Sequence, residues 1–312
     1  MVISVSTLIG QIILWFSAKK YINLKPVIDR ERFGQHFKPI LILFVPQLLG
    51  QLYLSLDKVI LNFFDSKVQV GYYDQAMKII KLLLTIVTSI STVMLPNMSA
   101  EFARGNNEKV LYYVEMIFRF VLFITIPMMV GLSGISTNFV SWFLGPEFSK
   151  VALLLRIISP IILFIGLGSL FGIQILVATH QNNKLTISIA AGATVSILVS
   201  LIFVPIYGVW ATAIATLLTE ATVACVQFFF VRSYIKVRNI YKSFFTYIFS
   251  AGIMLLVIYF LNFIPVSAIL KTFIQVIGGF AAYILLLFIL KETLIVQLRD
   301  RLKDVLNRKF GV

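Results

Sequence analysis

Cysteine, histidine and charged residues are scarce in this sequence. Its single cysteine, Cys225, lies in an apolar run, which excludes a disulfide framework and a cysteine-based metal site. The two histidines, His36 and His180, lie far apart in predicted polar loops, so we predict no metal site and no cofactor. Charged residues make up only 13% of the 312, about half of the share usual in soluble proteins.

Apolar residues are correspondingly abundant. They make up 59% of the chain and include 28 phenylalanines, and the mean hydropathy is +0.96. A soluble domain of this size has no core large enough to bury them, and disorder requires low hydrophobicity. The composition therefore predicts an integral membrane protein. No nucleophile–base pair, phosphate-binding loop or dinucleotide motif occurs, so we predict no catalytic residues and no enzyme activity.

Charge-free runs of about 18 residues or more predict an all-α, polytopic transmembrane bundle of about nine spans. The run 185–219 exceeds one crossing, and the turn signal from Pro205 to Gly208 divides it. The nine helices are predicted near residues 1–17, 39–63, 71–95, 111–135, 150–178, 185–204, 209–231, 243–262 and 270–290.

The basic residues predict the topology of these spans. Nineteen of the 27 lie in the tail and in the loops after helices one, three, five and seven, whereas the alternate loops hold three. This bias places the C-terminal tail in the cytoplasm and Met1 outside. The net charge of +14 is therefore a topology signal, and we predict no nucleic-acid partner. Because Met1 opens directly into a helix at the outer face, we expect the chain to be incomplete.

Polar residues form one stripe on each of two consecutive spans. Such stripes are costly against lipid, so they are expected to face a bundle interior or a wet cavity. Interhelical hydrogen bonding is the alternative role. The stripe on helix two consists of Gln47, Gln51, Ser55, Lys58 and Asn62. The stripe on helix three consists of Asp74, Lys78, Lys81, Thr85, Thr88 and Thr92.

Four cations are predicted at a common depth in the outer half of the bundle, namely Lys58, Lys78, Lys81 and Arg156. They predict a cationic polar cavity, although snorkelling to the outer headgroups and an Asp74–Lys78 pair are alternatives. The predicted cavity residues are Gln47, Gln51, Ser55, Lys58, Asn62, Lys78, Lys81, Thr85 and Arg156.

Two carboxylates within the spans are candidates for ion coupling. Asp57 lies about 120° from the polar stripe of its helix. Glu220 is predicted near the bilayer midplane, on one face with Thr212, Thr216 and Thr219. A hydrogen-bonded structural role is the alternative for both carboxylates.

Other pairs within the spans point to packing. Glu115 and Arg119 form an i,i+4 pair whose role is predicted to be structural. The Gly168–Gly172 motif and the small residues 190–192 predict close helix contacts.

Five segments carry a family resemblance. They read QLYLSLDKVILN at 51–62, VGYY at 70–73, LPNMS at 95–99, LGPEF at 144–148 and LRIISP at 155–160. In their order and spacing they resemble bacterial polysaccharide repeat-unit flippases, which serve O-antigen, capsule or exopolysaccharide synthesis within the multidrug/oligosaccharidyl-lipid/polysaccharide (MOP) exporter superfamily. The resemblance implies a MOP/MATE-like fold of two six-helix lobes, of which this chain would lack the first five spans.

This plan implies four regions. Residues 1–38 would be the last span of a missing N-terminal lobe with a cytoplasmic linker, and 39–232 the C-terminal six-helix transport lobe. Residues 233–290 would be two additional transmembrane helices, and 291–312 a cytoplasmic amphipathic tail.

The resemblance also implies a function. An undecaprenyl-diphosphate-linked oligosaccharide would move across the bacterial cytoplasmic membrane by alternating access, with this lipid-linked sugar, the membrane lipids and other polysaccharide assembly proteins as partners. A drug/cation antiporter, a membrane polysaccharide polymerase or ligase, and a non-transporting fragment remain open. A drug/cation antiporter would need a mainly acidic cavity for its cationic substrates. A polymerase or ligase would need a large outer loop that carries its catalytic groups.

Overall fold

The computed structural model describes residues 2–18, 30–235, 237–296 and Arg299, and these ranges contain helices and turns but no strand. The longer helices have 17 to 37 residues, which at 1.5 Å per residue gives lengths of about 26 to 56 Å, against the roughly 30 Å of a hydrocarbon core. They are α1 (Val2–Ala18), α2 (Arg30–Phe64), α3 (Lys67–Ala103), α4 (Asn107–Phe143), α7 (Asn182–Tyr207), α8 (Val209–Val231), α9 (Val237–Leu261) and α10 (Ala268–Ile289). Between α4 and α7 lie α5 (Ser149–Ile158), α6 (Ile161–Gly168) and a π-helical segment (Ser169–Val177).

Within the described residues, five helices are long and apolar enough to cross a membrane, or up to seven if each of two bent helix pairs is one span. The predicted all-α polytopic bundle is confirmed. The remaining predicted spans, 1–17 and 39–63, coincide with α1 and α2, which are not among these seven. Because α2 begins at Arg30, His36 lies in a helix and not in the predicted loop.

The chain forms two compact units, Met1–Phe44 and Val45–Val312. The first contains α1 and the first part of α2, and the side chains of Ile13 and Trp15 on α1 are exposed. In the second, α7 pairs with α8, and α9 pairs with α10 and with α4. The tail residues predicted as an amphipathic helix lie largely outside the described residues, although Leu294 and Ile295 are buried.

Two apolar cores hold the second unit together. One joins α3, α4, the π-helical segment, α9 and α10 and includes Ile117, Phe171 and Tyr283. The other joins α2, α3, α5, α6 and α8 and includes Leu61 and Ile80. Large apolar side chains elsewhere are exposed, as expected of helix faces that contact lipid rather than water.

The predicted fifth span, 150–178, is not one straight helix. The pair Pro146–Ile158 and Ile161–Val177 bends by 48° at Ser159–Pro160. Proline has no backbone N–H and its ring clashes with the preceding turn, which explains a break at this position. The second half ends as a π-helix, a local form often found at functional sites. The length and hydropathy of the run 150–178 do not predict this bend.

Small residues allow the close packing of α7 on α8. A Cβ atom added at Gly192 would lie 2.4 Å from Cγ2 of Val223 and 3.2 Å from the carbonyl oxygen of Thr219. The predicted close contact at residues 190–192 is therefore present. The predicted turn between these helices is tighter than expected, because Pro205 lies inside α7 and Gly208 alone makes the turn with φ of +54°.

Candidate functional site

The polar stripes of α2 and α3 meet at one cavity of about 290 Å³. Gln51, Ser55 and Lys58 contribute from α2 because spacings of four and three residues keep them on one helix face. Lys81 contributes from α3, together with Tyr73 and Met77. A lining that includes an amide, a hydroxyl and two ammonium groups can donate hydrogen bonds to anionic and hydroxyl-rich ligands.

An aspartate beside the cavity pairs with two lysines. Asp74 Oδ1 accepts a hydrogen bond from Lys58 Nζ, and Asp74 Oδ2 lies 2.9 Å from Lys78 Nζ. The i,i+4 ion pair of Asp74 with Lys78 is the one that the sequence offered as an alternative role for Lys78. The pair of Lys58 with Asp74 crosses from α2 to α3, so Lys58 has a carboxylate partner that its own stripe does not provide. We call these three residues the Lys58–Asp74–Lys78 triad.

Lys81 differs from the two lysines of the triad. Its side chain is exposed, and no ion pair involves it among the described residues. Three lysines and one aspartate give this region a formal charge of +2. The cavity therefore contains one ammonium group held by a carboxylate and one available for a ligand.

The other predicted cavity residues are placed as follows. Asn62 is exposed on α2, and Thr85 is exposed on α3, where its hydroxyl donates to the carbonyl oxygen of Lys81 at 3.0 Å. Gln47 lies on α2, but its side chain is outside the described part of the chain. Arg156 does not line this cavity. Its guanidinium donates to Ser136 Oγ at 3.1 Å and to Thr137 Oγ1 at 2.7 Å, which directs it towards α4.

Asp57 lies on a different face of α2 from the cavity residues and is fully buried. Its carboxylate accepts hydrogen bonds from Ser196 Oγ on α7 at 2.7 Å and from Thr216 Oγ1 on α8 at 3.1 Å. Consecutive residues of a helix differ by 100°, so Asp57 reaches α7 and α8 while Lys58 reaches the cavity. The oxygens around Asp57 are hard ligands of the kind that bind small cations or protons.

Tyr73 connects the two polar regions. Its ring lines the cavity, while its hydroxyl lies 2.8 Å from Thr216 Oγ1 and so continues the hydrogen-bonded chain to Asp57. Sequence reasoning missed Tyr73 and Ser196. Tyr73 ends the VGYY motif at 70–73 and directly precedes Asp74, which was the available signal. Ser196 lies in an apolar run with no distinguishing pattern.

Glu220 is 8% exposed and lies one turn beyond Thr216 on α8. Thr212, Thr216 and Thr219 are fully buried on the same helix, as their shared face predicts. Among the described residues, no three or more side chains of histidine, cysteine, aspartate or glutamate form a cluster that could hold a metal ion.

Comparisons with known proteins agree with this architecture. Residues 2–153 match a family described as polysaccharide biosynthesis protein. The chain is 24% identical over 261 residues to the uncharacterized membrane protein MJ1068 of Methanocaldococcus jannaschii, covering 83% of this chain and 51% of that protein. It is 23% identical over 263 residues to the probable flippase AglR of Haloferax volcanii, covering 83% and 54%. The chain thus spans about half the length of these curated relatives.

A solved structure of the lipid II flippase MurJ, in an inward closed conformation, is also similar. The TM-score is 0.77 at 25% identity, over 92% of this chain and 61% of that chain. Two of these proteins, MurJ and the probable flippase AglR, are named as flippases, in agreement with the prediction that this chain is not an enzyme. Together with the apolar helices, they confirm a multi-pass membrane protein. The resemblance inferred from the sequence is likewise confirmed: the chain is similar to polysaccharide biosynthesis proteins over residues 2–153 and to flippases over most of its length.

Proposed function

We propose that the protein acts in flipping a lipid-linked oligosaccharide, a polyprenyl-diphosphate repeat unit, across the bacterial cytoplasmic membrane by alternating access. The observation that carries this proposal is the cavity in which Lys58 and Lys81 lie together with Gln51 and Ser55. Ammonium groups pair strongly with phosphate oxygens, and amides and hydroxyls bind sugar hydroxyls. Keeping a lysine within a span costs about 2.5–3.5 kcal/mol on insertion scales. For Lys81, which makes no ion pair among the described residues, a compensating interaction with substrate is therefore expected.

The Lys58–Asp74–Lys78 triad fits a cycle of loading and release. In this structure, Asp74 pairs with the ammonium group of Lys58. A diphosphate that enters at Lys81 can replace the Asp74 carboxylate at Lys58, since both are oxyanions that accept charge-assisted hydrogen bonds. When the substrate leaves, Asp74 can pair with Lys58 again. Because the Asp74 carboxylate competes for Lys58, it weakens diphosphate binding enough for the substrate to be released.

We propose that Asp57 couples this cycle to an ion, with Glu220 as the second candidate. A cation or proton at Asp57 would change the hydrogen bonds of Thr216, and Tyr73 carries that change to the cavity wall. In proteoliposomes, Asp57→Asn should remove any dependence of flipping on pH or sodium, and Glu220→Gln is the parallel test. Unchanged ion dependence in both variants would leave these carboxylates as structural residues only.

Three alternatives have less support. A drug/cation antiporter requires a cavity that attracts cations, whereas the region around this cavity carries a formal charge of +2. A polysaccharide polymerase or ligase tends to need a large outer loop, whereas the described turn between α3 and α2 is only residues 65–66. A non-transporting fragment would keep the cavity but show no flipping when reconstituted.

The test is a double substitution in the cavity. Lys58→Gln with Lys81→Gln should lower flipping of a fluorescent polyprenyl-diphosphate oligosaccharide in proteoliposomes by about tenfold or more, because two charge-assisted contacts to phosphate are lost. Lys67→Gln with Lys271→Gln removes the same charge away from the cavity and serves as the matched control. Normal flipping by the cavity variant at normal abundance would contradict the proposal, and arginine at either position should be tolerated better than glutamine.

A further inference from the structure

A second polar pocket lies where α4, α9 and the segment after α10 meet. Its volume is about 250 Å³, and it is lined by Arg119 of α4, Lys242 and Thr246 of α9, and Lys291 and Thr293 after α10. It shares no lining residue with the cavity between α2 and α3. The flipping cycle proposed above does not use it.

A network of ionic and hydrogen bonds forms the floor of this pocket. Arg119 lies 2.7 Å from Glu115, donates to Ser243 Oγ at 3.0 Å and lies 3.8 Å from Glu292. Ser243 in turn donates to Glu292 Oε1 at 3.0 Å, and the backbone N–H of Leu294 donates to Glu292 Oε2 at 2.7 Å. Both carboxylates are therefore engaged by fixed partners, and Arg119 is held at one position.

The rim of the pocket carries the uncompensated charge. Lys242 and Lys291 are exposed, and within the described part of the chain no ion pair involves either of them. The pocket and its floor contain three cations, Arg119, Lys242 and Lys291, and two carboxylates. The carboxylates are those of Glu115 and Glu292, so the formal charge of the region is +1. An anion at the rim would contact the two ammonium groups without displacing the partners of Arg119.

The pocket lies at the ends of two candidate membrane spans, where lipid headgroups are expected. Lys242 is in the first turn of the candidate span Ile240–Leu261, and Lys291 follows the end of the span Ala268–Ile289 by two residues. An apolar groove of about 480 Å³ lines the same half of α10 and includes Phe280, Leu285 and Phe288. A cationic pocket at the ends of two spans and an apolar surface on the adjoining half of α10 match the two parts of a phospholipid.

We infer that this pocket binds the phosphate group of an anionic phospholipid. Lys242 and Lys291 contact the phosphate, and an acyl chain lies along the α10 groove. A membrane lipid supplies both parts at high local concentration, which favours it over a soluble phosphate compound. Since the site joins α4 of the bundle to α9, α10 and the start of the tail, a bound lipid stabilises the packing of these elements.

Native mass spectrometry of the purified full chain tests this inference. Phosphatidylglycerol should bind more tightly than phosphatidylcholine, and Lys242→Gln with Lys291→Gln should weaken phosphatidylglycerol binding by roughly 30-fold, since each lysine near an anionic headgroup contributes a factor of about five. The matched control, Lys67→Gln with Lys271→Gln, removes two lysines that do not line the pocket and should bind phosphatidylglycerol as the unaltered chain does.

Three results would overturn the inference. Equal binding of phosphatidylcholine would show that charge is not recognised. An equal loss in the control variant would show a general surface effect. Thermal stabilisation by inorganic phosphate alone, equal to that by phosphatidylglycerol, would show that the pocket recognises free phosphate and not a lipid. The melting temperature of the pocket variant is also measured in lipid-free detergent. If it equals that of the unaltered chain, the variant is folded, and weaker lipid binding reflects the loss of the two lysines.

Discussion

Adjacent residues of α2 have opposite surroundings at the scale of single side chains. Asp57 is fully buried between hydroxyls of α7 and α8, whereas Lys58 lines the cavity and pairs with Asp74. The periodicity of the helix predicted the separation of these two side chains, because 100° per residue removes Asp57 from the polar stripe. It could not predict the partner of Lys58, since that contact depends on the register between two helices.

Asp74→Asn tests the role of the carboxylate in the triad. If Asp74 competes with the diphosphate for Lys58, its removal should tighten binding of a polyprenyl-diphosphate lipid several-fold and slow turnover through slow release. Binding by isothermal titration and flipping in proteoliposomes should therefore change in opposite directions. If Asp74 merely positions Lys58, both binding and flipping should fall, which would contradict the exchange. Lys78→Gln is the control, because it removes the other partner of Asp74 without lining the cavity.

At the scale of elements, helix-spaced apolar runs and charge-free windows predicted the helices closely. The predicted spans 209–231 and 243–262 overlap α8 and α9 almost completely. The bend at Ser159–Pro160 and the π-helical segment were not predicted, because both depend on how backbone groups freed by proline are satisfied by neighbouring helices. Arg156 was likewise misplaced, since depth along a helix does not specify which neighbour the side chain faces.

Gly192→Ala tests the contact of α7 with α8. The added Cβ would lie 2.4 Å from Val223 Cγ2, so the helices must separate or the side chain must shift, at a cost of about 1–3 kcal/mol. Gly252→Ala in α9 is the matched control, because no atom lies within 4 Å of its added Cβ. Thermal unfolding in detergent should show a lower midpoint for the first variant and an equal or higher midpoint for the second, given the higher helix propensity of alanine. Equal midpoints in both would contradict the tight packing at Gly192.

At the scale of the whole molecule, most of the positive charge lies outside the cavity and is related to the topology of the spans. The net charge of +14 arises mainly from nineteen basic residues in the tail and alternate loops. The cavity between α2 and α3 contains none of these residues, whereas the pocket at Arg119 contains two of them, Lys242 and Lys291. The positive character of both sites depends on which lysines lack a carboxylate partner. Composition could therefore predict the membrane class and the topology, whereas the two sites needed the contacts among α2, α3, α4, α9 and α10.

The topology itself gives the last prediction. A tag after Val312 should lie in the cytoplasm, because nineteen basic residues on one side against three on the other is the bias that orients helices during insertion. In right-side-out vesicles, a protease should leave the Val312 tag intact and remove a tag placed in the Asp65–Ser66 turn between α2 and α3. Inverted vesicles should give the opposite pattern and serve as the control. Cleavage of the Val312 tag in right-side-out vesicles would reverse the orientation, and it would place the Lys58–Lys81 cavity in the cytoplasmic half of the membrane and the Lys242–Lys291 pocket in the outer leaflet.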